Sequence, residues 1–181
     1  MMKHVVMGAL ALSVSTGAFA QDVSVDFDKG ADFSKYKTFS VKMGTAWGNP
    51  LGEKRVTNEI AEALTAKGWT KADESKADAV VVLHGATQVK KDLNTFYSGG
   101  MGGYGYRYGG FGMGGGTAHT SVSEYTVGTL VVDIFDAKSK NLLFRGTATD
   151  ELSDKPEKNQ KKLDKASQKM FKDFPPGSAK K

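Results

Sequence analysis

Half of the chain's 22 glycines fall within eighteen consecutive positions, Gly99 to Gly116, where Gly takes eleven places and Tyr, Phe and Met most of the others. No helix or buried strand tolerates such a run. Each glycine loses more conformational freedom on ordering than any other residue and brings no side chain to bury. Any sheet the chain forms must therefore be assembled across this tract, from segments on either side of it.

Those segments are legible by period. Val23, Val25 and Phe27 alternate with polar residues, as do Phe39, Val41 and Met43, which predicts two half-buried strands. Phe33 and Tyr36, in the turn region between them, are placed to plug the edge of a core. Val56, Ile60, Ala63 and Leu64 form one helical stripe that begins near Pro50 and stops at Gly68. A short strand fits Trp69 to Ala72. Ala77 to Ala86 is apolar on both faces, as expected of a central strand covered on two sides, or on one side plus a loop.

Beyond the tract, a strand-like run from Thr117 leads into a hairpin turning at Ala137 to Lys140. Leu130, Val132 and Ile134 face one way with Leu142, Phe144 and Gly146, and opposing 134 with 142 keeps the parity consistent. Asp133 and Arg145 share the other face, the geometry of a cross-strand ion pair. A last helix starts between Ser153 and Pro156 and turns Leu163, Ala166, Met170 and Phe174 to the sheet, with Pro175 and Pro176 ending it. Glu151 and Asp154 stand where N-terminal caps would be. The expected fold is α+β, in two layers: a mainly antiparallel mixed sheet with two helices on one face and a long Gly-rich loop.

The N-terminus has the three parts of a secretory signal: Lys3, an apolar centre from Val5 to Val14, and Ala18-Phe19-Ala20 before a cut at Gln21. The centre is shorter than the roughly 20 residues of a bilayer span. Residues 1–20 are thus expected to be a cleaved signal peptide, leaving no transmembrane span in the mature chain. Residues 21–176 then form a single domain with the loop 98–117 inserted between strands, and 177–181 a disordered tail. The expected location is periplasmic or secreted. With no cysteine, stability must come from burial rather than disulfides. The net charge of +5 is mild, and nine lysines between Lys155 and Lys181 read as a solvated helix face.

Four stretches together, "ADFSKYKTF", "KADAVVVLHGA", "GTLVVDIFDAKSKNLLFRGTA" and the Lys-rich segment closing on "KDFPP", resemble the bacterial exported domain-of-unknown-function family DUF4136. The resemblance runs from about Val23 to Pro176, and Arg145 to Ala148 is its most specific part. Phe144 stands where Trp is frequent in the family. Many members are lipoproteins, and this chain departs from them in lacking the lipid-bearing Cys. The resemblance implies an envelope location and the fold, and it carries no catalytic residues.

Chemistry-bearing motifs are few. The glycine tract is no nucleotide cradle, because such a loop opens a helix, whereas the run from Thr117 reads as a strand. One arginine in an exported chain does not make an RNA-binding tract, so no nucleic acid partner is expected. Met101, Met113 and His119 are irregularly spaced for a soft-metal site, and neither metal nor cofactor is assigned. His84, in an apolar strand, fits a structural histidine better than a base, and no G-x-S-x-G elbow is present. The candidate binding residues are those of the tract: Tyr104, Tyr106, Tyr108 and Phe111, large faces with few torsions to freeze, with Arg107 between them.

These observations describe an exported cell-envelope protein of unknown biochemical activity, not an enzyme, with an interaction or structural role through its Gly/Tyr-rich loop. Its partner would be an envelope component, whether protein, glycan or membrane surface. A small-ligand or glycan-binding module is the alternative, and an unrecognised hydrolase a further one. A folded apolar pocket beside His84 and Arg145 would favour the ligand module.

Overall fold

The computed structural model of the chain describes residues 21–97 and 118–177. Residues 1–20, read above as a signal peptide, the glycine tract and residues 178–181 lie outside them. The elements in chain order are β1 (Asp22–Phe27), a 3-10 turn (Phe33–Lys35), β2 (Thr38–Thr45), α1 (Pro50–Ala66), β3 (Thr70–Lys71), β4 (Ala79–Tyr97), β5 (Ala118–Asp136), β6 (Leu142–Leu152) and α2 (Pro156–Met170). The six strands form one mixed sheet in the order β1-β6-β5-β4-β2-β3, in which β2 runs parallel to β3 and β4 and the other pairs are antiparallel. This is the expected α+β arrangement, with both helices on one face.

Local chemistry explains where α1 starts and stops. Asn49 caps it by accepting from the Gly52 amide at 3.0 Å, and Pro50 supplies the preset backbone angle of a first helical residue. Gly68, at φ +88°, ends it in a conformation that a side chain would strain. Ile60, Ala61 and Leu64 are buried, with Val56 and Ala63 packed against the core beside them.

Helix α2 differs from expectation at both ends. Its N-cap is Lys155, which makes no side-chain capping bond. Neither Glu151 nor Asp154 caps it. The entry is held instead by Asn159, which accepts from the Ser153 amide and donates to the Ser153 carbonyl at 2.8 and 2.7 Å. The helix ends at Met170, before Phe174, yet Phe171 and Phe174 are both buried in the turn beyond it. Phe174 is the hub of an aromatic cluster: its ring lies 5.1–5.9 Å from those of Phe33, Trp69, Phe144 and Phe171, mostly edge to face. Phe33 and Tyr36 do plug the core edge, as their spacing predicts.

The β5–β6 hairpin is shifted from the expected register. Ile134 faces Phe144, not Leu142, and Val132 faces Gly146. Parity counting assumes an unbroken ladder, whereas an irregularity between Ile134 and Phe135 inserts one residue. The cause is visible in "NLLFRG": Leu143 and Phe144 are consecutive and both buried, which strict alternation does not permit. Leu142 consequently faces solvent opposite Phe135, and is 39% exposed.

Strand β4 carries Ala79, Val81 and Leu83 into the helix-side core. Among the described residues no helix covers its opposite face, where Val80 is buried and Val82 half-buried within the sheet. The strand is also far longer than the apolar run that announces it. β4 and β5 pair for 19 residues each, while β6 stops pairing at Thr126 and β2 at His84. From Lys90 to Tyr97 and from Ala118 to Tyr125 the two strands continue alone, eight rungs or roughly 25 Å of ribbon.

Candidate functional site

Three places could carry function. The first is the glycine tract, which in the sequence links the two residues of the ribbon's last rung, Tyr97 and Ala118. Tyr104, Tyr106, Arg107, Tyr108 and Phe111 lie outside the described residues, as do Met101 and Met113, so their positions carry no test of the contact role expected of them. Val122 stands exposed on the ribbon that leads to them, at 54%, and Val89, at its root, at 60%.

The second is the open sheet face. Here Asp133 and Arg145 are cross-strand neighbours, as expected, and bind bidentately through Nε and a terminal nitrogen, both at 2.6 Å. Asp133 is buried and Arg145 half exposed. The carboxylate raises the guanidinium's pKa further above its ordinary value, first by hydrogen bonding and then by charge. His84 stands beside them. A bulge at Gly44, where a Cβ would collide with the imidazole, lets the ring lie flat, and Thr45 Oγ1 meets His84 Nδ1 at 2.9 Å.

Hydroxyl, imidazole and carboxylate in sequence resemble a catalytic triad, but the geometry does not complete one. His84 Nε2 is 3.9 Å from Asp133 Oδ2, beyond hydrogen-bond range, and both Asp133 oxygens are already engaged by Arg145. The cluster spans four neighbouring strands, β2, β4, β5 and β6. Among the described residues no group of three or more His, Asp or Glu side chains is placed to hold a metal ion, and no helix is long and apolar enough to cross a membrane.

The third place is a cavity of about 260 Å³ on the helix side of the sheet, and the residue patterns did not point to it. It lies on the face opposite His84 and Arg145. Its origin is in the layer packing. α1 rests on β2 and β3, α2 on β1 and β6, and the helices meet over the central strands. Where β4 and β5 leave the sheet those strands carry Gly85 and Gly128, so the floor is low and a gap remains beneath the helices. Trp47 forms one wall. A Cβ at Gly85 would overlap its indole, so only glycine admits the ring there. The loop holding Trp47 is pinned by Glu53, whose carboxylate accepts from the Trp47 and Gly48 amides at 3.0 and 3.2 Å.

Leu130, Leu163 and Val56 add apolar wall, and the rim is polar. Lys162 is engaged, donating to Asp150 at 3.0 Å and to the Glu151 carbonyl at 2.6 Å. Arg55 is half-buried and makes no side-chain hydrogen bond or ion pair among the described residues. Gln21 donates to the Lys162 carbonyl at 2.7 Å, while its own carbonyl oxygen is buried without a partner among them. The sequence signals were present but unconnected: glycines within strand patterns, and a tryptophan in a loop.

An open mixed sheet with two helices on one face and long central strands defines an α+β class that recurs in known proteins. The model for the domain of unknown function DUF4136 matches residues 23–176, and the chain belongs to that family. A DUF4136 family protein from Bacteroides thetaiotaomicron VPI-5482 is similar at 14% identity over 86% of this chain and 96% of that one, with a TM-score of 0.51. A PDZ domain protein from Parabacteroides distasonis ATCC 8503 is similar at 22% identity and a TM-score of 0.49, over 88% of this chain. This chain spans only 37% of that protein's length. Likeness at such identity carries the fold alone. No curated protein matches the chain.

Proposed function

We propose that the protein is exported to the cell envelope and works there by binding rather than catalysis, with the β4–β5 ribbon as the arm that presents the glycine and aromatic tract. The observation that carries this reading is the length of the two central strands, which outrun every neighbour by eight rungs or more. An isolated two-stranded hairpin is marginal in water, so this one draws its stability from the sheet at its root. The chain leaves the ribbon at Tyr97 and re-enters it at Ala118, and the sequence between those residues carries Tyr104, Tyr106, Tyr108 and Phe111. Export rests on Lys3, the apolar run and Ala18-Phe19-Ala20.

The test is capture of envelope components by the intact protein beside a variant with those four aromatics changed to Ser. Loss of capture with unchanged circular dichroism and melting is the expected result. Equal capture by the variant removes the tract from the function. A second reading, a ligand-binding module, is favoured by the cavity beneath the helices, although it lies on the face away from His84 and Arg145.

A further inference from the structure

The cavity on the helix side joins three features that one class of ligand would satisfy together. Its wall is mainly apolar, built from Trp47, Val56, Leu130 and Leu163 over a floor of Gly85 and Gly128. At about 260 Å³ it is larger than an apolar cavity of about 150 Å³ that stays dry and accepts a small hydrocarbon, and it lies just under the usual range of ligand pockets. Its rim holds a half-buried guanidinium at Arg55 and a buried amide oxygen at Gln21, neither with a side-chain partner among the described residues. Buried polar atoms are nearly always partnered, so an orphan beside a cavity marks where a ligand group fits.

We infer that this cavity binds a single-chain amphiphile of medium length ending in a carboxylate, with the alkyl chain on Trp47, Leu130 and Leu163 and the head on Arg55. The fork of guanidinium donors suits a carboxylate, and a half-dry setting strengthens the pair. Lys162 does not compete for the head, because Asp150 and the Glu151 carbonyl hold it. The Gln21 oxygen accepts only from a donor, and a hydroxyl near the head would supply one, since the carboxylate paired with Arg55 has no proton. A cationic head leaves Arg55 unsatisfied and is disfavoured.

The experiment titrates the purified full chain with sodium decanoate, decanol and decyltrimethylammonium, each below its aggregation concentration, by calorimetry and tryptophan fluorescence. Decanoate binds saturably and changes the fluorescence, decanol binds more weakly, and the cation more weakly still. Arg55→Gln weakens decanoate by about tenfold and leaves decanol unchanged, while Arg55→Lys restores part of the loss. Gly85→Ala, which displaces Trp47, weakens decanoate and decanol alike. Trp47→Phe keeps calorimetric binding and loses the fluorescence change.

Deleting residues 99–116 leaves decanoate affinity unaltered, which separates this site from the proposed role of the ribbon tip. The inference is overturned if decanoate shows no saturable binding, if the cation binds as well as the carboxylate, or if Arg55→Gln affects decanol as much as decanoate. Loss of binding in the deletion variant also overturns it, by moving the site to the tract.

Discussion

At the scale of single residues, the strongest polar contact is the Asp133–Arg145 pair, and its two partners are unequally buried. Arg145→Ala leaves a carboxylate in the sheet without its two charge-assisted bonds. Since Arg145 is half exposed, water softens the loss, and a cost of about 1.5–3 kcal/mol is expected from denaturant unfolding. Changing both residues to Val removes donor and acceptor together and should be nearly neutral.

Asp78 predicts the acid limb. Its carboxylate accepts from the amides of Lys37 and Thr38 and the Thr38 hydroxyl, which stitch the start of β2 to β4 and hold its pKa below the ordinary 3.8. A depressed acid contributes fully above its unfolded pKa and loses that contribution as pH falls through its folded value. Stability should therefore decline from near pH 3.8 downward, and the Asp78→Asn variant should show a flatter acid limb in urea midpoints. Tyr36 has the opposite sign. Burial, then its 2.8 Å hydrogen bond to Asp136, pushes its pKa up to about 12 from 10.0. Its contribution is full below pH 10 and is lost as pH rises through about 12. Phenolate absorbance should lose its latest-titrating step in Tyr36→Phe.

At the scale of elements, the hairpin and α2 depend on one another. Phe144 is buried, stacked on Phe171 at 5.7 Å and edge to Phe174 at 5.3 Å. Phe144→Ala should cost about 3–5 kcal/mol in denaturant unfolding. Gly146 acts by its lack of a side chain. A Cβ there would collide with Met170, so the absence lets α2 settle on β6. Gly146→Ala should cost about 1–3 kcal/mol by overpacking. Combined with Met170→Ala it should cost less than the sum of the two single changes, because the second removes what the first struck.

At the scale of the molecule, the core sits at the end of β4 and β5 away from Tyr97 and Ala118, the residues that flank the glycine tract in the sequence. The buried aromatics lie under α2 and the turn after it, near the hairpin turn at Ala137 to Lys140. Deleting residues 99–116 shortens a connection whose closure entropy grows only slowly with length. The melting transition should move by little, and a deletion that unfolds the protein would show that the tract supports the sheet. Export makes a separate prediction: mass spectrometry of the exported form should find Gln21 as its first residue, and retention of Met1 would argue against a cleaved signal.

The number and type of the elements were written in the chain itself. Alternation along Val23–Phe27 and Phe39–Met43, the stripe Val56–Leu64 and the Asn49-Pro50 start are local signals, because period and capping depend on near neighbours. The cross-strand placement of Asp133 and Arg145 was legible for the same reason. Tertiary structure alone decided the rest. The bulge at Leu143 arises from a core that takes two consecutive apolar residues. Neither Glu151 nor Asp154 caps α2; Asn159 holds the chain at Ser153 instead, because α2 enters directly from the end of β6. The extra rungs of β4 were hidden because Thr87 to Lys91 are exposed and, Val89 apart, polar, and their pairing with β5 is a long-range backbone matter with little side-chain signature. The cavity was least legible of all. It is the space left where two helices diverge from two strand glycines, and such a space depends on the distances between distant segments rather than on any pattern within one of them.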